Sequence, residues 1–297
     1  IVFTGQSGIS YQHNTKALFE FLQENPTSYH TIWITRNPRI YQQISDLYGR
    51  GKVVYTISIN GLLVLLRAKA VCLSHGFSDI SNIKLSSKTK ILQLWHGIPL
   101  KKIGVLDRSI DSSQKKKYVT NSQRYDMVIS CSEIERKNLS KCFSIDENLI
   151  KITGLPRNDT LLKEKESSLL ERHPWLKSKI ILHAPTFRDT GDPVDYFPFP
   201  DVHIERINQF LEIHDAYLLL RGHVNETSIR LGEGAIHDNR IISANQDEFE
   251  DVMELLKYVD VLITDYSSIY IDCNFNISRM RSYFSSCCSI FLSSLFI

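Results

Sequence analysis

Five short polar clusters in this chain carry residue types suited to a phosphorylated ligand, and each closes an apolar run. Trp95-His96-Gly97-Ile98-Pro99 ends the run ILQLW, with Lys101 and Lys102 just beyond. Gly154-Leu155-Pro156-Arg157-Asn158-Asp159 follows LIKI, and Ala184-Pro185-Thr186-Phe187-Arg188-Asp189 follows IILH. Arg221-Gly222-His223 follows AYLLL, and Asp265-Tyr266-Ser267-Ser268 follows DVLIT. Arginine forks bind phosphate oxygens in pairs, glycine lets the backbone approach closely, and histidine donates a hydrogen bond or moves a proton near neutral pH. Taken singly, each cluster also admits a plain reading. His96 can be a packed imidazole, Arg157 and Arg188 surface arginines in weak ion pairs, and Arg221-Gly222-His223 an ordinary turn. Asp265, Ser267 and Ser268 can equally cap a helix or, with the free N–H groups of its first turn, hold an anion.

The elements that must carry these clusters give them a common address. Strand-like stretches fall at 1–4, 31–35, 52–56, 70–74, 91–95, 126–130 and 149–152, with helix-like segments at 14–22, 38–47, 60–67 and 133–139 between them. Runs such as VDVLIT are apolar on both faces, as parallel strands covered by helices must be. The charged, helix-like stretch from Asp159 to Arg172, with few apolar positions, and the break at His173-Pro174-Trp175 place a linker at 157–177. Beyond it the alternation resumes, with strands at 180–183, 216–220, 240–243 and 260–264 and helices near 203–213, 226–232 and 248–257. The pattern predicts an α/β chain of two Rossmann-like domains, 1–156 and 178–272, with ligands at the C-terminal ends of the strands and a cleft between the domains. By that rule all five clusters face one crevice. His13, His30, His173, His203, His214 and His237 lack such placement and read as structural or surface residues, whereas His75 and His183 stay open.

Composition removes several function classes. A formal net charge of +2 over 297 residues gives no basic excess for nucleic-acid binding. Cys72, Cys131, Cys142, Cys273, Cys287 and Cys288 show no CxxC spacing, which predicts free thiols in a reduced compartment. Apolar runs fall short of the about 20 residues that span a bilayer. No signal pattern precedes the first strand, although an opening at Ile1 rather than Met leaves a lost leader open. GxSxG, HExxH and GxxxxGK[ST] are missing, so acyl hydrolysis, zinc proteolysis and P-loop ATP hydrolysis have no motif, and no carboxylate cluster calls for a metal.

At these same residues the sequence resembles the CDP-glycerol glycerophosphotransferase family, which builds poly(glycerol phosphate) chains in teichoic-acid and related capsule synthesis. The resemblance is carried by WHGIPLKKIG (95–104), GLPRND (154–159), ILHAPTFRD (181–189), LRGH (220–223) and VDVLITDYSSIYID (259–272), and Tyr11 and Asn14 after the opening strand also match the family's start. It implies a GT-B type fold, with the first domain on the acceptor and membrane side and the second holding CDP-glycerol. It implies catalytic roles for His96 and His223. Donor contacts would come from Trp95, Gly97, Ile98, Pro99, Arg157, Thr186, Phe187, Arg188, Arg221, Gly222, Ser267, Ser268 and Asp272, with Asp265 in support. No cofactor or metal is implied. The acceptor would be a lipid-linked glycerophosphate or saccharide at the inner membrane face, which makes the protein cytoplasmic and peripheral. His96 is then the general base and His223 the group that meets the leaving CMP, and sequence leaves the two roles exchangeable. A GT-B glycosyltransferase acting on a nucleotide sugar, a CDP-ribitol enzyme and an inactive remnant are the competing readings. The last arises because residues 273–297, rich in Ser, Cys and Phe, show no family pattern and suggest an incomplete second domain.

Overall fold

A computed structural model of the chain describes residues 1–25, 27–165, 167–185, 196–197, 203–222, 240–245, 249–265, 267–273 and 281–284. They fall into two compact units, Ile1–Thr160 and Leu161–Ile297.

The first unit alternates strands and helices: β1 (Val2–Phe3), α1 (His13–Glu24), β2 (Ile32–Thr35), α2 (Pro38–Tyr48), β3 (Val53–Tyr55), α3 (Ile59–Arg67), β4 (Ala70–Leu73), β5 (Lys90–Gln93), α4 (Ser112–Ser122), β6 (Met127–Ser130), α5 (Glu133–Phe143) and β7 (Ile150–Ile152). The strands form one parallel sheet in the order β3-β2-β1-β4-β5-β6-β7. Neighbouring residues of a strand enter opposite cores, because side chains alternate across a sheet. Val2, Val71, Ile91 and Val128 pack with Leu65 of α3 and Leu139 of α5 on one side. Phe3, Trp33, Cys72 and Ile129 pack with Phe19 of α1 and with Ile40 and Ile44 of α2 on the other. Burial on both faces is why these strands read as unbroken apolar runs.

Local chemistry sets the helix starts. Asn37 accepts the N–H of Arg39 ahead of Pro38, Ser58 accepts that of Gly61, and Ser132 accepts that of Glu135. The polar, lysine-rich interval between β5 and β6, to which the sequence pattern assigns no element, contains α4, opened by a reciprocal cap in which Asp111 accepts the N–H of Gln114 and Gln114 accepts that of Asp111.

The second unit contains α6 (Ser167–Arg172), β8 (Lys179–His183), α7 (Ile204–Ile213), β9 (Ala216–Leu220), β10 (Ile241–Ser243), α8 (Val252–Leu256), β11 (Val261–Thr264), α9 (Ile269–Cys273) and β12 (Arg281–Phe284). Its parallel sheet runs β10-β9-β8-β11-β12. The segment read as a linker with a helix-like stretch holds α6, and its Leu161, Leu169 and Leu176 supply buried side chains to the core that also holds Ile180, Leu182, Leu219 and Leu262. One sequence expectation changes here. The stretch read as a patternless tail contains β12, paired from Val261↔Arg281 to Thr264↔Phe284. The helix expected at 226–232 and Cys287 and Cys288 lie outside the described residues. Among the described residues Cys72, Cys131, Cys142 and Cys273 form no disulfide, no helix is long and apolar enough to cross a membrane, and no group of three His, Cys, Asp or Glu side chains is arranged for a metal.

Candidate active site

In the first sheet the chain direction of successive crossovers reverses between β1 and β4, which opens a crevice at the C-terminal ends of those strands. The loops after β1, β4 and β5 meet there. Asp79, fully buried, ties the first two together: one carboxylate oxygen accepts the N–H of Ser7 at 2.8 Å, and the other accepts those of Ser74 (2.9 Å), His75 (2.7 Å) and Gly76 (3.2 Å). Burial pushes this carboxyl's pKa up, and the four donors work against that push. Thr4 adds a hydrogen bond from Oγ1 to the Asp79 carbonyl at 3.0 Å. Gly76 sits at φ 141, a conformation that a side chain would strain.

The loop after β5 is held from two other elements. Asn14 of α1, fully buried, donates through Nδ2 to the carbonyls of Leu94 (2.8 Å) and Trp95 (3.1 Å) and accepts the N–H of Arg157 at 3.1 Å. The Arg157 guanidinium donates through Nη1 to the His96 carbonyl. At 4% exposure Arg157 therefore works as a brace for the His96 loop. Its charge also draws down the pKa of the Glu135 carboxyl, which burial drives up more strongly. Trp95 is held at φ 54, a conformation that costs a non-glycine residue about 1–3 kcal/mol. The Gln93 side chain accepts its N–H at 3.0 Å, and its ring packs edge-on against Phe143 at 5.1 Å. Ile98 leans on the core beside α1, and Gly97 and Pro99 complete the turn.

This scaffold gathers three imidazoles. His96 places Nδ1 3.2 Å from the Ser74 carbonyl. A carbonyl only accepts, so Nδ1 carries the proton and Nε2 keeps its lone pair. His75 places Nδ1 3.1 Å from Ser74 Oγ, and its ring lies flat on that of His96, centroids 3.8 Å apart and 3° from parallel. His13, at φ 65 where α1 begins, has its ring centroid 6.1 Å from each of the other two. Burial first, and the Arg157 charge after it, bring the His96 pKa down to about 4, against the Ser74 hydrogen bond. Burial and the facing His96 and His13 rings bring His75 down to about 2. Both are neutral near pH 7.

His13, read from sequence as structural, and His75, left open, thus belong beside His96. The signal was present, since His75 follows the strand AVCL and His13 follows the loop of the first strand.

The second sheet reverses between β8 and β11, and its polar groups are used differently. His183, the last residue of β8, is 8% exposed, with Tyr196 edge-on at 5.3 Å and Phe197 at 6.3 Å. Burial lowers its pKa to about 4 against the pull of Asp265. Arg221, a donor-contact candidate from sequence, gives its backbone N–H to the His183 carbonyl at 2.9 Å, and its Nη1 donates to the carbonyls of Ala244 (3.1 Å) and Phe249 (2.9 Å). Its pKa falls to about 10, through burial opposed by Asp251 and Tyr196. Ser267 and Ser268 are half-buried ahead of α9, and their carbonyls accept the N–H groups of Tyr270 and Ile271. Asp272 is buried on that helix, and Gly222 is half-buried beside Arg221. His223, Thr186, Phe187 and Arg188 lie outside the described residues.

The sequence profile of the CDP-glycerol:poly(glycerophosphate) glycerophosphotransferase family matches residues 1–276. A teichoic acid glycerol-phosphate transferase of Staphylococcus aureus (strain NCTC 8325 / PS 47) is 31% identical over 293 residues, which cover 92% of this chain and 70% of that protein. A teichoic acid poly(glycerol phosphate) polymerase of Bacillus subtilis (strain 168) is 26% identical over 289 residues, 92% of this chain and 37% of the polymerase. Among solved structures, a variant of the wall teichoic acid polymerase TagF superposes with a TM-score of 0.74 at 25% identity, over 95% of this chain and 69% of that one.

Proposed function

The chain belongs to the CDP-glycerol:poly(glycerophosphate) glycerophosphotransferase family, and from that premise we propose that it transfers glycerol phosphate from CDP-glycerol to a hydroxyl of a glycerophosphate-terminated acceptor, releasing CMP, in teichoic-acid-type polymer synthesis. The observation that carries this reading is the His96 imidazole, neutral, fixed in one tautomer by Ser74 and placed at the crevice of a parallel sheet. A glycerol hydroxyl of the acceptor gives its proton to His96 Nε2 as its oxygen attacks the glycerol-bearing phosphorus. The new O–P bond forms, the bond from that phosphorus to the bridging oxygen breaks, and CMP leaves with the electron pair. Such a transfer needs positioning and charge neutralisation more than covalent help. Arg157 acts by holding the His96 carbonyl, and Trp95 to Pro99 line the approach. In the second unit His223 and Arg188 neutralise the diphosphate, Thr186, Phe187 and Gly222 line the nucleotide, and Ser267 and Ser268 hold phosphate or ribose oxygens. Asp265, Asp272 and Arg221 keep those loops in place.

The test follows CMP release from CDP-glycerol with a primed acceptor. Full turnover by His96→Ala and by His223→Ala, each folded, would remove the assignment. CDP-ribitol and nucleotide sugars in the same assay separate the competing donors.

Membrane association is part of the proposal. Lys101, Lys102, Lys116 and Lys117 are exposed and Lys115 is half-buried beside them, and each lysine near an anionic surface contributes about 1 kcal/mol. Equal sedimentation with neutral and anionic liposomes would remove this role.

A further inference from the structure

The stacked imidazoles carry more than a lone general base requires. Ser74 engages both Nδ1 atoms, that of His96 through its carbonyl oxygen at 3.2 Å and that of His75 through Oγ at 3.1 Å. The two rings are nearly parallel at a 3.8 Å spacing. With both Nδ1 atoms turned toward Ser74, each Nε2 lies on the ring edge that faces away from it. Among the described residues neither Nε2 has a hydrogen-bond partner, and both residues are half-buried. The Asp79 carboxylate fixes the backbone under His75 through the N–H groups of Ser74, His75 and Gly76, so the pair is preorganised. Two imidazoles whose ring centroids stack at 3.8 Å, each with one Nε2, offer a partner to each of the two oxygens of a 1,2-diol, and each oxygen can donate to or accept from an imidazole.

We infer that His75 is a second substrate-contacting residue, whose Nε2 holds the secondary hydroxyl of the acceptor's terminal glycerol while His96 Nε2 takes the proton of the adjacent primary hydroxyl. This rests on the glycerophosphate-acceptor reading above and narrows it to an acceptor site that selects a terminal diol. His75 stays neutral because burial and the facing rings of His96 and His13 disfavour its charge, so it does not compete with His96 for the proton. A hydroxyl satisfies its Nε2 in either tautomer. His13, 6.1 Å from both rings, bounds the remaining side.

The experiment uses the full chain, CDP-glycerol, and two synthetic acceptors, one ending in glycerol phosphate and one in 3-hydroxypropyl phosphate, which lacks the secondary hydroxyl. CMP release is expected to show kcat/KM about tenfold lower for the wild type on the second acceptor, the loss of one good hydrogen bond. His75→Phe keeps a flat ring on His96 without the nitrogen. It should lose about tenfold on the glycerol acceptor and nothing further on the other, while His75→Gln, with a polar atom near Nε2, recovers part of the loss. Multiplying losses, or a His75→Phe enzyme that still discriminates like the wild type, would overturn the inference. Imidazole 15N spectra of the wild type give a readout independent of turnover and of variant folding. Glycerol 3-phosphate should move the Nε2 resonances of both His75 and His96, and a His75 signal that ignores it counts against the contact. A wild type that turns over neither acceptor overturns the reaction reading, and this inference with it. Turnover without diol discrimination overturns the inference alone.

Discussion

The two sheets of this chain reverse direction at equivalent places, between β1 and β4 and between β8 and β11, and each puts a histidine of lowered pKa at a strand end. What surrounds the imidazole differs. His96 has Nδ1 anchored on a carbonyl, a parallel imidazole beside it and part of its surface exposed. His183 is walled by Tyr196 and Phe197 and is 8% exposed. The same burial that holds one imidazole neutral beside a second ring holds the other neutral between two aromatic side chains. A perturbed histidine at a strand end therefore marks chemistry only where its second nitrogen still has somewhere to go.

The largest effect expected from that contrast is on turnover. His96→Ala should lower kcat by about 10²–10⁴, the range for a removed general base, with the melting temperature nearly unchanged. His183→Ala should do the reverse, lowering the melting temperature through the cavity left beside Tyr196 while kcat falls much less. Equal kcat losses would erase the distinction between the two histidines.

Arg157 and Arg221 sharpen it next. Both are nearly buried, and both use Nη1 on backbone carbonyls, His96 for the first and Ala244 and Phe249 for the second. Each alanine variant should lose about 1.5–3 kcal/mol in denaturant unfolding, as expected when a charged donor leaves buried acceptors behind. Only Arg157→Ala should also lower kcat, because its carbonyl partner belongs to His96, the residue proposed as the base.

Much of this division was hidden from sequence for a physical reason. Strands were legible because burial on both faces forces continuous apolar runs, and strand-end clusters were legible because they follow those runs. The strand order was not, and it is the order β1-β4-β5 that brings His13, His75 and His96 together from three separate loops. Nor could Arg221 be distinguished from a ligand-facing arginine, since which way a guanidinium points depends on carbonyls twenty-odd positions further along the chain. The folded segment at 157–177 carried its own signal in the widely spaced Leu161, Leu169 and Leu176, outweighed by the surrounding charge. The cap Asp111 to Gln114 announced α4 within a stretch too polar to read as helix.

Acid should affect both units through these histidines. The folded-state pKa of His96 and of His183 is about 4, below the ordinary value of 6.5, so the unfolded chain binds more protons between those limits. Stability is therefore fully present above about 6.5 and declines as pH falls toward 4. Turnover that depends on neutral His96 should persist to lower pH than an ordinary histidine base allows, with its acid limb near 4. His183→Phe should reduce the acid sensitivity of unfolding and leave that limb where it is. A limb that moves with His183 would place the base in the second unit.

The smallest expected difference comes from two buried threonines at strand ends, one in each sheet. Thr4, just after β1, donates Oγ1 to the Asp79 carbonyl at 3.0 Å, and Thr264, ending β11, donates Oγ1 to the Ala184 carbonyl at 2.6 Å. Both are buried, so Thr4→Val and Thr264→Val each remove one hydrogen bond at nearly constant volume and should cost about 1 kcal/mol. Their effects on turnover should separate. Thr4 steadies the turn whose carboxylate holds Ser7, Ser74, His75 and Gly76, so Thr4→Val loosens the stack on His96 and raises KM for the acceptor. Thr264 ties β11 to the segment after β8, so Thr264→Val should leave acceptor KM alone and act on donor KM. Steady-state kinetics varying one substrate at a time decides between them, and a Thr4→Val enzyme with a donor-only defect would detach the Asp79 clamp from the acceptor side.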